Sequence, residues 1–122
     1  MNHSTIDNNF AREFAEEWIA SWNSHDLDRI MSHYAEDFEM SSPYIVSLMN
    51  EPSGMLKGKT EVRRYWERGL EANPNLKFDL TNVLTGANSV TLIYKRNSTR
   101  IAAEVLIFNE RREVIKGMAH YE

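Results

Sequence analysis

From Phe10 onward apolar residues recur every three or four positions, at Phe14, Ala15, Trp18, Ile19 and Trp22, while Glu13, Glu16 and Glu17 fall on the other side. This spacing predicts an α-helix of about four turns starting at Asn8 or Asn9. Asn23-Ser24-His25 ends it through poor helix propensity. Asp26 is placed to accept the free N–H groups of a second helix over about 27–34, whose buried stripe is Leu27, Ile30, Met31 and Tyr34. Residues 38–42 read as a strand that Pro43 ends. Between Tyr44 and Gly58 the pattern is ambiguous. Residues 44–48 suit a short strand and Asn50-Glu51-Pro52-Ser53-Gly54 is turn chemistry, so a loop or short hairpin over a pocket mouth is expected. Thr60 is placed to cap a third helix running to about Ala72, with Val62, Tyr65, Trp66 and Leu70 inward and Asn73-Pro74-Asn75 as its stop.

The rest of the chain reads as strands over 76–84, 89–96, 100–109 and 112–121, separated by turn clusters at Thr85-Gly86-Ala87-Asn88, Asn97-Ser98-Thr99 and Asn109-Glu110-Arg111. Connections that short demand antiparallel neighbours. Helices first and a long meander afterwards predict an α+β fold, with the helices packed on one face of a curved antiparallel sheet. Residues 1–7 carry no periodicity and are expected as a flexible lead to a single domain over 8–122.

At 122 residues the chain is long enough for one real core. Its net charge of −4 argues against a nucleic-acid surface, and Arg63-Arg64 and Arg111-Arg112 are each flanked by glutamates. The absence of cysteine excludes disulfides and thiolate-bound metals. No apolar run approaches the roughly 18 residues of a membrane span, and MNHSTIDNN has no secretory character, so a cytoplasmic protein is expected.

Alternation along 100–109 puts Ala102, Glu104, Leu106 and Phe108 on one face and Ile101, Ala103, Val105 and Ile107 on the other. Both faces are apolar, which makes Glu104 the side chain out of place. It reads either as a general acid or base with a pKa raised by desolvation, or as one half of an ion pair with a neighbouring-strand residue such as Lys95 or Lys116, or as a side chain exposed near a rim. The four histidines, His3, His25, His33 and His120, form no paired spacing, so no metal site is expected. Gly117, Ala119 and Tyr121 share parity, which places Tyr121 inside and His120 outside.

The stretch from Phe14 to Pro43, with Trp18, Trp22-Asn23, Asp26-Leu27-Asp28, Ile30, Tyr34-Ala35 and Asp37, resembles the SnoaL-like branch of the nuclear-transport-factor-2-like superfamily. Leu56-Lys57-Gly58-Lys59-Thr60-Glu61-Val62 resembles that family's lead into its third helix. The resemblance implies a cone-shaped half-barrel closed by three N-terminal helices around a pocket, and a homodimer through the outer sheet face. The apolar outer face, with Ile93, Val105, Ile107 and Met118, independently calls for cover. Trp18, Trp22, Tyr34, Met40, Ser42, Trp66, Leu106, Phe108 and Tyr121 are the expected pocket wall, Glu104 the expected catalytic residue.

Laid on ketosteroid isomerase within this superfamily, Trp18 stands where that enzyme has a tyrosine and Ser42 where it has the proton-transferring aspartate. Glu104 stands where the oxyanion-holding aspartate would be. Two of three catalytic types are therefore missing, and steroid isomerisation of that kind is not expected. An epoxide hydrolase of the superfamily would need an arginine bridging two carboxylates, but Arg100 and Glu104 lie about 13 Å apart along their strand. A dehydratase would need His and Asp with tyrosines; His33, His120, Tyr34 and Tyr121 supply types without a motif. The expectation is a pocket for a hydrophobic carbonyl-bearing or cyclic small molecule, with Glu104 doing acid/base work as in an isomerase, cyclase or dehydratase and without a cofactor. The alternative is a non-catalytic binding or assembly module of the same fold.

Overall fold

The computed structural model describes residues 5–122, and its element order follows from a few local devices. Asp7 accepts the Phe10 N–H at 2.8 Å and starts α1 (Asn8–Ser24). His25 closes that helix in a left-handed conformation at φ 59°, and its Nε2 lies 2.8 Å from the Leu76 carbonyl. The Asp26 carboxylate takes the Asp28 and Arg29 N–H groups at 3.1 and 3.3 Å, opening α2 (Leu27–Met31). Thereafter come β1 (Tyr34–Ser41), α3 (Pro43–Leu48), β2 (Met55–Lys57), α4 (Lys59–Ala72), β3 (Phe78–Thr85), β4 (Ser89–Arg96), β5 (Arg100–Phe108) and β6 (Val114–Tyr121).

Several elements differ from the sequence reading, each for an identifiable reason. The second helix stops at Met31, because Val114 N–H donates to the His33 carbonyl at 3.0 Å and draws the chain into the sheet; Tyr34 then opens β1. Residues 44–48 form neither strand nor loop but most of α3. Pro43 occupies the first helical position, where its missing N–H costs nothing, and the Ser42 hydroxyl accepts the Tyr44 N–H at 3.2 Å. Thr60 does not cap α4; the helix starts one residue earlier, after Gly58, whose φ of 91° is open to glycine. The described residues thus hold four helices rather than three. Residues 1–4 of the expected lead lie outside the described residues. Residues 5–7 are tied down, Ile6 being buried with its N–H on the Ala87 carbonyl at 3.0 Å.

The architecture is α+β, with one open six-stranded sheet in the order β2-β1-β6-β5-β4-β3. The consecutive strands β3 to β6 pair antiparallel, as their short turns require, and so do β1 and β2. The β1–β6 pairing is parallel, which makes the sheet mixed. No hairpin constrains the direction of these two strands, since Tyr34 pairs with Val114 across most of the chain. Register shifts at Leu80/Asn82, Ile107/Phe108 and Tyr34/Glu39 bend the sheet over the helices. Phe38, Met40, Val90, Leu92, Tyr94, Ala102, Leu106, Phe108 and Val114 are buried on its inner face. Trp18 of α1 stacks on Phe78 with centroids 5.7 Å apart, and Trp66 of α4 packs on Tyr34 at 5.0 Å. Gly117 lets β6 approach closely: a Cβ there would sit 3.1 Å from Met40 Sδ and 3.3 Å from Leu106 Cδ2. No helix among the described residues is long and apolar enough to cross a membrane.

Asn23 joins the end of α1 to the start of β3. Its Nδ2 donates to the Phe78 carbonyl at 2.9 Å, and its Oδ1 accepts the Phe78 N–H at 2.7 Å, so the amide imitates a neighbouring strand. Asn23→Ala removes both bonds and is expected to lower unfolding free energy by about 1–2 kcal/mol. Urea titration should show a lower midpoint with an unchanged slope; an unchanged midpoint would mean that water replaces the clamp without loss.

Candidate functional site

The two longer helices do not cover the inner sheet face completely. Between them, α3 and the sheet lies a cavity of about 280 Å³. Trp18 and Trp22 come from α1, Tyr44, Ser47 and Leu48 from α3, and Tyr65, Trp66, Gly69 and Ala72 from α4. The sheet contributes Met40, Phe78, Tyr94, Arg96, Glu104 and Tyr121. Asn73 and Leu76, between α4 and β3, complete the wall.

Glu104 is the acidic member of this wall and is only 3% exposed. Its register partners are Leu92 and Ala119, both buried, so the carboxyl enters from an apolar floor. Burial pushes its pKa up to about 8, and the hydrogen bond from Tyr94 Oη, at 3.3 Å to Oε1, opposes that shift. At neutral pH the protonated acid therefore predominates. The ion pair considered for it does not form. Lys95 and Lys116 are exposed and register with Ile101 and Ile107, residues of the opposite parity. Among the described residues no cation is paired with Glu104.

The tyrosines of the site are poor acids. Burial pushes Tyr65 up to about 12, with its hydroxyl donating to Ser42 Oγ at 2.8 Å. Tyr94 and Tyr121 are raised further, by burial first and then by the Glu104 charge. They supply hydrogen bonds rather than protons. Trp22 Nε1, by contrast, is a buried donor without a partner among the described residues.

Of the residues expected from sequence, Trp18, Trp22, Met40, Trp66, Glu104 and Tyr121 border the cavity together. Four expected wall residues lie behind it. Tyr34 is buried with its hydroxyl accepting Trp18 Nε1–H at 2.9 Å, so the indole donor of Trp18 is already used. Ser42 caps α3 and accepts from Tyr65. Leu106 is core, and Phe108 packs on Phe14 at 4.8 Å and Phe10 at 5.3 Å, at the other end of α1. His33 sits 3.4 Å from Glu17, and His120 is exposed, so the dehydratase-type set is not assembled. Arg100 is exposed and donates to the Glu122 carbonyl, away from the cavity. No group of potential metal ligands occurs among the described residues.

Sequence reasoning overlooked Tyr44, Tyr94 and Arg96. Tyr44 was hidden by the misread helix α3. The other two were available from parity, since Val90, Leu92, Tyr94 and Arg96 alternate onto one face of β4. Arg96 donates from Nη1 to Tyr44 Oη at 3.2 Å, and its guanidinium carbon lies 4.8 Å from the Tyr121 ring centroid and 5.2 Å from that of Tyr44.

The SnoaL-like domain profile matches residues 15–122. The chain belongs to the SnoaL-like family. A SnoaL-like protein of unknown function from Burkholderia thailandensis is 47% identical, with a TM-score of 0.92, and the match covers 97% of this chain and 98% of that one. A candidate isomerase of the SnoaL-like family from Agrobacterium tumefaciens has a TM-score of 0.75 at 15% identity, covering 93% and 98%. SalBIII, an epoxide hydrolase/cyclase-like enzyme of pyran ring formation in the polyether salinomycin, has a TM-score of 0.75 at 15% identity, covering 95% and 93%. These last two show the shared fold. No curated protein matches in sequence.

In this SnoaL-like domain the raised pKa of Glu104 links stability to pH. The folded state holds the proton up to about pH 8, whereas an unfolded glutamate releases it near its ordinary value of 4.5. Between those values the folded state binds more protons, so stability falls as pH rises, by up to about 1.4 kcal/mol per pH unit, and levels off above the folded pKa. Glu104→Gln should remove this component. Denaturant unfolding of both proteins at pH 5, 6.5 and 8 is expected to show the variant gaining on wild type at each step; parallel curves would mean an ordinary pKa.

Proposed function

We propose that this SnoaL-like protein is a cofactor-independent acid/base enzyme whose cavity takes a hydrophobic carbonyl-bearing or cyclic small molecule, with Glu104 moving the proton. One observation carries the reading: a carboxyl group, buried against an apolar floor, borders a cavity in which half of the other lining residues are aromatic. A buried carboxyl held protonated near neutrality is a competent proton donor, and a dry site strengthens every hydrogen bond it makes. The volume lies at the lower end of the ~300–1,000 Å³ typical of small-molecule sites and suits a compact ring system.

Glu104 gives its proton to a substrate oxygen as negative charge builds there. The same molecule releases a proton from a C–H or O–H bond, and the carboxylate takes it back, so the enzyme ends as it began. Isomerisation, ring closure and loss of water all satisfy that balance. Trp22 Nε1 is a free donor for a second oxygen. The names of the Agrobacterium isomerase and of SalBIII fall within these reaction types, which supports the class and not a substrate.

A thermal-shift screen with carbonyl and polycyclic compounds is the first test, followed by turnover assays on the compounds that bind. Glu104→Gln is expected to keep binding and to lose 10²–10⁴-fold in turnover, on the order of what one general acid contributes. Full turnover in the variant removes Glu104 from the chemistry. A second reading, a binding or assembly module of the same fold, is favoured by one fact: no other carboxyl or imidazole borders the cavity among the described residues. Under that reading compounds bind and none is transformed by either protein.

The outer sheet face supports a homodimer as a further part of the proposal. Ile101 and Ile115 are 46% and 38% exposed there, beside half-buried Ile93, Val105, Ile107 and Met118. Covering these side chains removes apolar area from water without touching the cavity. Size exclusion with light scattering at micromolar concentration is expected to give twice the 14.2 kDa chain mass; a monomer mass contradicts the dimer.

A further inference from the structure

Arg96 has no role in the proton chemistry above, yet it borders the same cavity as Glu104. Its surroundings are unusual for a half-buried arginine. Among the described residues no carboxylate pairs with it. Its charge rests on the faces of Tyr44 and Tyr121, 5.2 and 4.8 Å from their centroids, and one Nη1–H is spent on Tyr44 Oη at 3.2 Å. A guanidinium carries five N–H donors in a plane. The ring contacts occupy its face and leave donors along its edge without a partner among the described residues.

Position adds to this. Arg96 lies four residues along β4 from Leu92, the register partner of Glu104, a backbone offset of about 13 Å along the strand. Both side chains rise from the inner face of the sheet, roughly perpendicular to it, so the offset sets the two polar groups apart along the cavity. Trp18, Trp22, Trp66 and Phe78 furnish apolar and aromatic wall in the same cavity. No other arginine, lysine or histidine borders the cavity among the described residues. The site therefore has an uncharged hydrogen-bonding end, an apolar middle and one cationic end.

We infer that Arg96 is an anion-recognition group, and that the ligand class is a ring-bearing keto or hydroxy carboxylic acid with its carboxylate on Arg96 and its second oxygen at Glu104. A carboxylate is flat and accepts two parallel N–H bonds from a guanidinium edge, which matches the donors left free. The inference rests on the pocket reading of the preceding subsection and narrows its substrate from any hydrophobic carbonyl compound to an acid. Arg96 sets which molecule enters and which way round it lies; Glu104 remains the proton carrier.

The test uses 3-benzoylpropionate and its methyl ester, which share a ring and a ketone and differ in charge. All three tryptophans of the chain border the cavity, so tryptophan fluorescence reports its occupation, with calorimetry as a second readout. At pH 7 and low salt the acid is expected to bind wild type at least tenfold more tightly than the ester, about what a charged hydrogen-bonded pair contributes. Added salt should narrow the gap. Arg96→Met should bring the acid to the affinity of the ester and leave the ester within about twofold of wild type, a change too small to reflect a lost charged contact. Arg96→Gln is run beside it, because it keeps a donor for Tyr44 without the charge and guards against a packing failure. Glu104→Gln should retain the acid–ester gap.

An acid no tighter than its ester in wild type, or a gap that survives in both Arg96 variants, overturns the inference and leaves the pocket reading standing. Binding of neither compound to wild type overturns both.

Discussion

Burial of a carboxyl group on the inner face of the sheet is the constraint on which the site depends. Glu104 sits between Leu92 and Ala119 with a single long hydrogen bond from Tyr94. Such a group survives folding by keeping its proton, since an isolated buried carboxylate is costly to hold away from water. The surrounding hydroxyls follow suit. Tyr94 and Tyr121 are raised partly by the charge Glu104 would carry, and Tyr65 is turned toward Ser42 instead. The cavity is thus a set of neutral hydrogen-bonding groups in an apolar shell, with Arg96 as its charged exception.

That arrangement explains how the chain departs from the isomerase it was laid against. Trp18 occupies the tyrosine's place in that comparison, but its N–H is consumed by Tyr34 and cannot serve an oxyanion. Ser42, which the resemblance sets in the place of a proton carrier, caps α3 and accepts from Tyr65. The two substitutions therefore have structural occupations. In the proposed reading chemistry falls to Glu104, and recognition to Arg96 and a Trp22 N–H that is unpaired among the described residues.

Legibility followed the strength of the local pattern. Helix α1 and the strands β4 and β5 were readable because their periodicity runs over long segments and their stops are polar clusters. Glu104 was readable as a lone carboxyl in an apolar alternation. Helix α3 was not, because Pro43 is ambiguous in isolation: it ends a strand and starts a helix with equal propriety, and the hydroxyl of Ser42 decides between them. The parallel β1–β6 pair was beyond local reasoning, since nothing between Tyr34 and Val114 announces that the two will meet. Leu106 and Phe108 lie on the inner face of the sheet but behind the cavity wall. Strand parity says which side of the sheet a residue takes, and only the position of α1 says how much of that side is filled.

The parallel pair also orders events in time. β1 is made well before β6, its inner neighbour in the sheet. Until β6 emerges, β1 and its short partner β2 form only a hairpin-like fragment too small to hold itself together. The meander β3–β4–β5 meanwhile presents an open edge at β5, the strand that carries Glu104. Closing the sheet is therefore a late, long-range step with the kinetic cost of bringing distant segments together. Docking of β6 joins the two halves of the sheet and places Ala119 beside Glu104 in the same motion. β6 acts as a keystone: without it the site and the sheet are forfeited together.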